Sequence, residues 1–84
     1  MSRKDKLIQR FLSRPKDFSW DELVVLLSAY EFEEVSTGKT GGSRRRFANA
    51  AGVVLTLHKP HPRNILKTYQ IEQIIEVLRQ EGIL

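Results

Sequence analysis

Residues 43–58 read SRRRFANAAGVVLTLH, two alternating runs on either side of a short, small-residue break. Ser43–Asn49 and Val53–His58 flank Ala50-Ala51-Gly52, and this pattern predicts an antiparallel hairpin with a tight turn. Because successive strand residues point to opposite faces, the alternation also assigns the faces. Phe47 and Arg45, with Val53, Leu55 and Leu57, are expected on the core side, and Arg44, Arg46, Thr56 and His58 on the other. Arg45 is the misfit in that scheme and is expected near the strand edge.

Upstream, Thr37–Gly42 holds three glycines in six residues and is expected to be a turn. It connects the hairpin to a short acidic strand over Phe32–Ser36. Before that strand lies a helix-start signal: Ser19 as N-cap, Glu22 completing a capping box, and Phe18 placed to staple onto Leu23. The helix opens at Trp20, carries Trp20, Leu23, Val24, Leu27 and Tyr30 at the helical period, and is expected to end near Tyr30. At the N-terminus, Leu7, Ile8, Phe11 and Leu12 share one helical face ahead of Pro15, so residues 2–14 read as a short amphipathic helix with a basic back.

Downstream, Pro60 and Pro62 prevent Lys59–Lys67 from continuing the ladder or starting a helix, which predicts a stiff, partly extended crossing. A last helix follows, with Thr68 as N-cap, the stripe Ile71, Ile74, Ile75 and Leu78, and Gly82 as the C′ residue of a Schellman ending closed by Ile83. The order is helix, helix, three strands, helix. The expected class is α+β: a three-stranded antiparallel sheet with one face covered by the two longer helices and the other left wet and basic.

At 84 residues, with 40% hydrophobic and 29% charged, the chain suits one soluble domain over residues 1–84, with a core from about 19 to 84 behind the N-terminal helix. The absence of cysteine rules out a disulfide framework, a thiolate zinc site and a cysteine nucleophile. The longest apolar run, Leu23–Leu27, is far short of the roughly 20 residues of a membrane span. No apolar segment follows the basic start, so a cytoplasmic location is expected.

The net charge of +4 conceals strong segregation. Residues 1–16 hold six Lys/Arg and one Asp, and residues 17–36 hold six Asp/Glu and no Lys/Arg. Residues 37–67 hold seven Lys/Arg and no carboxylate, together with both histidines, His58 and His61. Such a block suits a nucleic-acid backbone better than a membrane surface, because its cations fall on a hairpin and loops and not along an amphipathic helix. Arg44, Arg46, Lys39 and Lys59 are the natural phosphate contacts, and Ser43, His61 and Arg63 complete the expected RNA-binding set.

The missing carboxylates also bear on catalysis. Two-metal phosphodiester hydrolysis needs clustered acids to hold its ions, so no metal and no other cofactor is expected. The remaining route is RNA cleavage by a general base acting on a 2′-hydroxyl. Histidine has the required titration range and arginine does not. His58, on the open face in line with Arg44 and Arg46, is the preferred base, and His61 in the proline-flanked loop is the alternative. Arg44 or Arg46 would stabilise charge developing on the phosphoryl oxygens. Gly38-Lys39-Thr40 is not the end of a phosphate-binding loop, since Glu33 stands where the first glycine belongs. No carboxylate neighbours either histidine in sequence, so a Ser-His-Asp triad is not expected.

Gly42-Ser43-Arg44-Arg45-Arg46-Phe47, then Leu57-His58-Lys59-Pro60-His61-Pro62, Leu66-Lys67-Thr68 and a closing Arg79-Gln80-Glu81-Gly82-Ile83 together resemble the HicA family of bacterial toxins. The likeness runs from about Ser19 to Leu84. It implies a small mRNA-cleaving ribonuclease with a double-stranded-RNA-binding-domain-like α-β-β-β-α fold, held inactive by a HicB-type antitoxin. Family members usually carry Gly-Ser-His followed by two residues and Phe, the histidine being catalytic. Here Arg44 occupies that position and cannot serve as a base at neutral pH. Either His58 on the adjacent strand has taken the role, or the protein binds RNA without cutting it.

Overall fold

The computed structural model describes residues 3–35, 44–60 and 62–84. Its elements are α1 (Arg3–Leu12), α2 (Trp20–Ala29), β1 (Glu33–Val35), β2 (Arg44–Ala48), β3 (Val54–His58) and α3 (Thr68–Gln80). The strands form one antiparallel sheet in the order β1-β2-β3. The class is therefore α+β, and α2 through α3 follow the α-β-β-β-α order. The glycine turn expected over Thr37–Gly42 lies outside the described residues, as does Ser36 at the end of the first strand.

Each boundary has a local cause. α1 stops at Leu12, short of the expected residue 14, because Pro15 disfavours helical geometry in the residue before it, and Arg14 adopts a positive φ of 56°. α2 opens with the full capping box: the Glu22 N–H donates to Ser19 Oγ at 3.1 Å and the Ser19 N–H donates to Glu22 Oε1 at 3.0 Å. It closes in a Schellman motif, with the Phe32 N–H donating to Leu27 O and the Glu31 N–H to Ser28 O, so that Glu31 sits at φ 68°. α3 closes the same way on Gly82 at φ 72°, with the Ile83 N–H donating to Leu78 O at 2.8 Å, as the sequence implies.

The start of α3 requires a correction. Its N-cap is Lys67 and not Thr68, which is the first helical residue. Lysine has no acceptor to offer the helix; Gln70 at N3 supplies the bond from the other side, its Oε1 accepting from the Lys67 N–H at 2.9 Å.

The core forms where the helices meet the inner sheet face. Phe47 and Leu55, opposite one another across β2 and β3, are buried against Trp20, Leu23, Leu27, Ile71, Ile74, Ile75 and Leu78. The Trp20 and Phe47 rings lie 5.8 Å apart and tilted. α2 is buried over a wider arc than its expected stripe: Leu26 is fully enclosed, whereas Val24 and Tyr30 are half-buried. The cause is α1, which packs on α2 and places Phe11, also fully enclosed, 5.0 Å from the Phe18 ring. Arg10 fixes this arrangement by pairing with both Asp17 and Glu22. The apolar stripe of α1 thus belongs to this domain's own core.

The crossing after β3 is tied to the entry of α2. The Trp20 N–H donates to Asn64 O at 2.7 Å and the Leu66 N–H to Phe18 O at 2.8 Å, on either side of an isolated bridge between Ser19 and Ile65. These bonds hold residues 62–67 against the helical layer.

Candidate nucleic-acid interface

The hairpin turn fixes the register on which the site depends. The Gly52 N–H donates to Asn49 O, the Asn49 N–H donates to Val53 O, and the Val53 N–H donates to Asn49 Oδ1 at 2.9 Å. Gly52 takes φ 87°, the left-handed position of a three-residue hairpin loop. From that turn the pairs run Ala48 with Val54, Phe47 with Leu55, Arg46 with Thr56, Arg45 with Leu57 and Arg44 with His58.

Because Phe47 and Leu55 point inward, the alternate pairs Arg44 with His58 and Arg46 with Thr56 point outward. All four are exposed. Directly opposed side chains have Cβ atoms about 4.5–5.5 Å apart, so the Arg44 guanidinium and the His58 imidazole can reach one phosphate together. Among the described residues, neither side chain is engaged in a hydrogen bond or ion pair within the chain. Arg45, on the inner face, is half-buried with its Nε 3.8 Å from Glu34 Oε2 on β1, which explains how the core side tolerates it.

The outer face is less uniform than the block of cations suggests. The β1 register places Val35 beside Arg46, and Glu33 beside Ala48 and Val54. The face therefore grades from a basic end, Arg44, His58 and Arg46, to an apolar and acidic end at the hairpin turn. Among the described residues, the cations of this face lie at the basic end.

Gln70 anchors that end, and the sequence reading did not single it out. Among the described residues it is the one polar residue buried in the core, 7% exposed, and its Nε2 donates to the His58 carbonyl at 3.0 Å. One side chain thus joins the end of β3 to the start of α3. Its spacing from Lys67, the N3 position of a capping box, was the available signal.

The remaining expected residues separate into two groups. Lys59 follows His58 directly and is half-buried, whereas Arg63 is exposed and lines a groove beside Pro60 and Pro62. Lys39, Ser43 and His61 lie outside the described residues. Among the described residues, no group of three or more His, Asp or Glu side chains is arranged to hold a metal ion, and no helix is long and apolar enough to cross a membrane.

Comparison with known families adds one match: a family model described as the HicA toxin of bacterial toxin-antitoxin systems covers residues 20–83. Searches of curated proteins and of solved structures each gave no match. The matched stretch contains the whole sheet, α2 and α3, and leaves out α1.

Proposed function

The chain belongs to the HicA family of toxins of bacterial toxin-antitoxin systems, and from that premise we propose that it is a metal-independent endoribonuclease acting on mRNA in the cytoplasm. The observation that carries this reading is the direct pairing of His58 with Arg44, both exposed, on the outer sheet face. His58 takes the proton of a ribose 2′-hydroxyl, whose oxygen attacks the adjacent phosphorus. The bond to the 5′-oxygen breaks, and that oxygen takes up a proton from the medium. The products are a 2′,3′-cyclic phosphate and a 5′-hydroxyl. Arg44 stabilises the charge that develops on the phosphoryl oxygens, while Arg46, Lys59 and Arg63, with Lys39, Ser43 and His61, hold the strand.

A HicB-type antitoxin is the proposed partner. Covering the basic end with carboxylates would both neutralise Arg44 and Arg46 and exclude RNA from His58.

The test is induction of the wild-type chain and of His58→Ala at matched levels in bacteria, followed by mRNA integrity. Fragmentation by wild type alone supports His58 as the base. Fragmentation by both moves the base elsewhere, with His61 next. A second reading, a non-catalytic RNA-binding module on the same face, is favoured by Arg44 standing where the family usually has histidine. It predicts salt-sensitive RNA binding and intact mRNA in both cultures.

A further inference from the structure

A second basic feature lies beyond the sheet face. The connection between α1 and α2 and the 59–67 crossing enclose an open groove of about 400 Å³ lined by Lys16, Asp17, Pro60, Pro62, Arg63, Ile65 and Lys67. Three cations converge on it, Lys16 from the first of these segments and Arg63 and Lys67 from the second. Asp17, its single acid, is already occupied by Arg10 at 2.7 Å, so the groove presents uncompensated positive charge. Among the described residues, Lys16, Arg63 and Lys67 make no ion pair, and all three are exposed. The walls are not loose loops, since the Trp20–Asn64 and Leu66–Phe18 backbone bonds fix the crossing against the helix entry.

We infer that this groove is a second backbone site for single-stranded RNA, holding phosphates beyond those bound on the sheet face. The inference rests on the RNA-binding reading above and extends it to Lys16 and Lys67. Continuity supports RNA over an acidic protein segment as the occupant. Pro60 follows His58 by two residues and Pro62 by four, which limits the Cα separations to about 7 and 14 Å. Lys59 bridges the interval. A strand leaving Arg44 and His58 at the β3 end therefore meets the groove within a few nucleotides. Lysines, as mobile point charges, suit contacts that register phosphate without reading sequence. Lys16 lies outside the family-matched residues, so this part of the track is contributed by the chain's own N-terminal segment.

The test uses the full chain with 2′-O-methyl RNA, which cannot be cleaved through the 2′-oxygen, in lengths of about 4 and 12 nucleotides. The probe variant is Lys16→Gln/Lys67→Gln, with Lys16→Gln alone as an independent second variant. Removing two phosphate contacts should lower affinity for the longer RNA about tenfold and reduce its log-log salt slope by about 1.4, leaving the shorter RNA unaffected. Unchanged affinity and slope for the longer RNA, with wild type still binding, would overturn the groove assignment and leave the sheet-face reading intact. A variant that binds RNA normally but loses its antitoxin assigns the groove to the protein partner and also overturns the inference. If wild type binds neither length, the RNA reading itself fails.

Discussion

Arg44 and His58 are cross-strand partners at the end of the β2–β3 ladder, both exposed and both on the face that no described helix covers. On the proposed reading, a guanidinium and an imidazole meet one phosphodiester together. On the proposed mechanism, Arg44→Ala lowers cleavage about 10²–10³-fold, the scale seen when one charge-stabilising donor is removed. His58→Ala removes a general base, worth about 10²–10⁴-fold. Groups that act as a unit are not additive, so the double variant should be little worse than His58→Ala alone. Single-turnover cleavage of a labelled RNA measures all three. Full additivity would mean that the two side chains act on different steps.

Gln70 holds the carbonyl of His58 and the N–H of Lys67 with one buried amide. Gln70→Leu removes both part-buried bonds, and each lost hydrogen bond costs about 0.5–1.5 kcal/mol. The urea midpoint should fall accordingly. Gln70→Glu is more informative, because the carboxylate still accepts from Lys67 but cannot donate to His58 O. Protonation restores a donor, so this variant should recover stability relative to wild type as pH falls through its carboxyl titration. A pH-independent deficit would show that the His58 bond contributes nothing.

The hairpin, the capping box and the Gly82 ending were legible because each is set by neighbours in sequence. The face of Arg44 and His58 follows from strand alternation alone once Gly52 fixes the turn. Glu33 was not legible as an outer-face residue, since its orientation depends on pairing with Ala48 across a connection that carries no pattern of its own. Thr68 was misassigned as N-cap because the preference for a side-chain acceptor overlooks a cap made in reverse, by Gln70 to the Lys67 backbone. Nor could the sequence say what α1 packs on; Phe11 meeting Phe18 answers that.

The two Schellman endings make opposite predictions. Gly82 at φ 72° is free to adopt the left-handed region, whereas Glu31 at φ 68° holds a Cβ there. An added Cβ at Gly82 would meet nothing within 4 Å, so the cost of Gly82→Ala is conformational, about 1 kcal/mol. Glu31→Gly should instead stabilise the chain, by about 0.5–1 kcal/mol after the greater entropy of an unfolded glycine is subtracted. Thermal melts of the two variants should move in opposite directions. A parallel shift would show that Glu31 makes a compensating interaction through its side chain.

Glu22 carries the acid sensitivity of the junction between α1 and α2. Burial disfavours its charged form, but the hydrogen bond from the Ser19 backbone and the Arg10 guanidinium outweigh it, so the carboxyl is held below its ordinary value of 4.5. The folded chain therefore binds this proton less readily than the unfolded chain. The resulting stabilisation is complete above about pH 4.5 and is lost as pH falls through the folded-state value. Glu22→Gln should be less stable than wild type at pH 7, and the gap should narrow steadily below about pH 4.5. Urea unfolding across that range measures it. Since Arg10 also binds Asp17, Arg10→Met should lower stability at neutral pH and flatten the same acid limb. An acid limb as steep in Arg10→Met as in wild type would leave Ser19, through its backbone N–H and its side chain, as the source of the Glu22 shift.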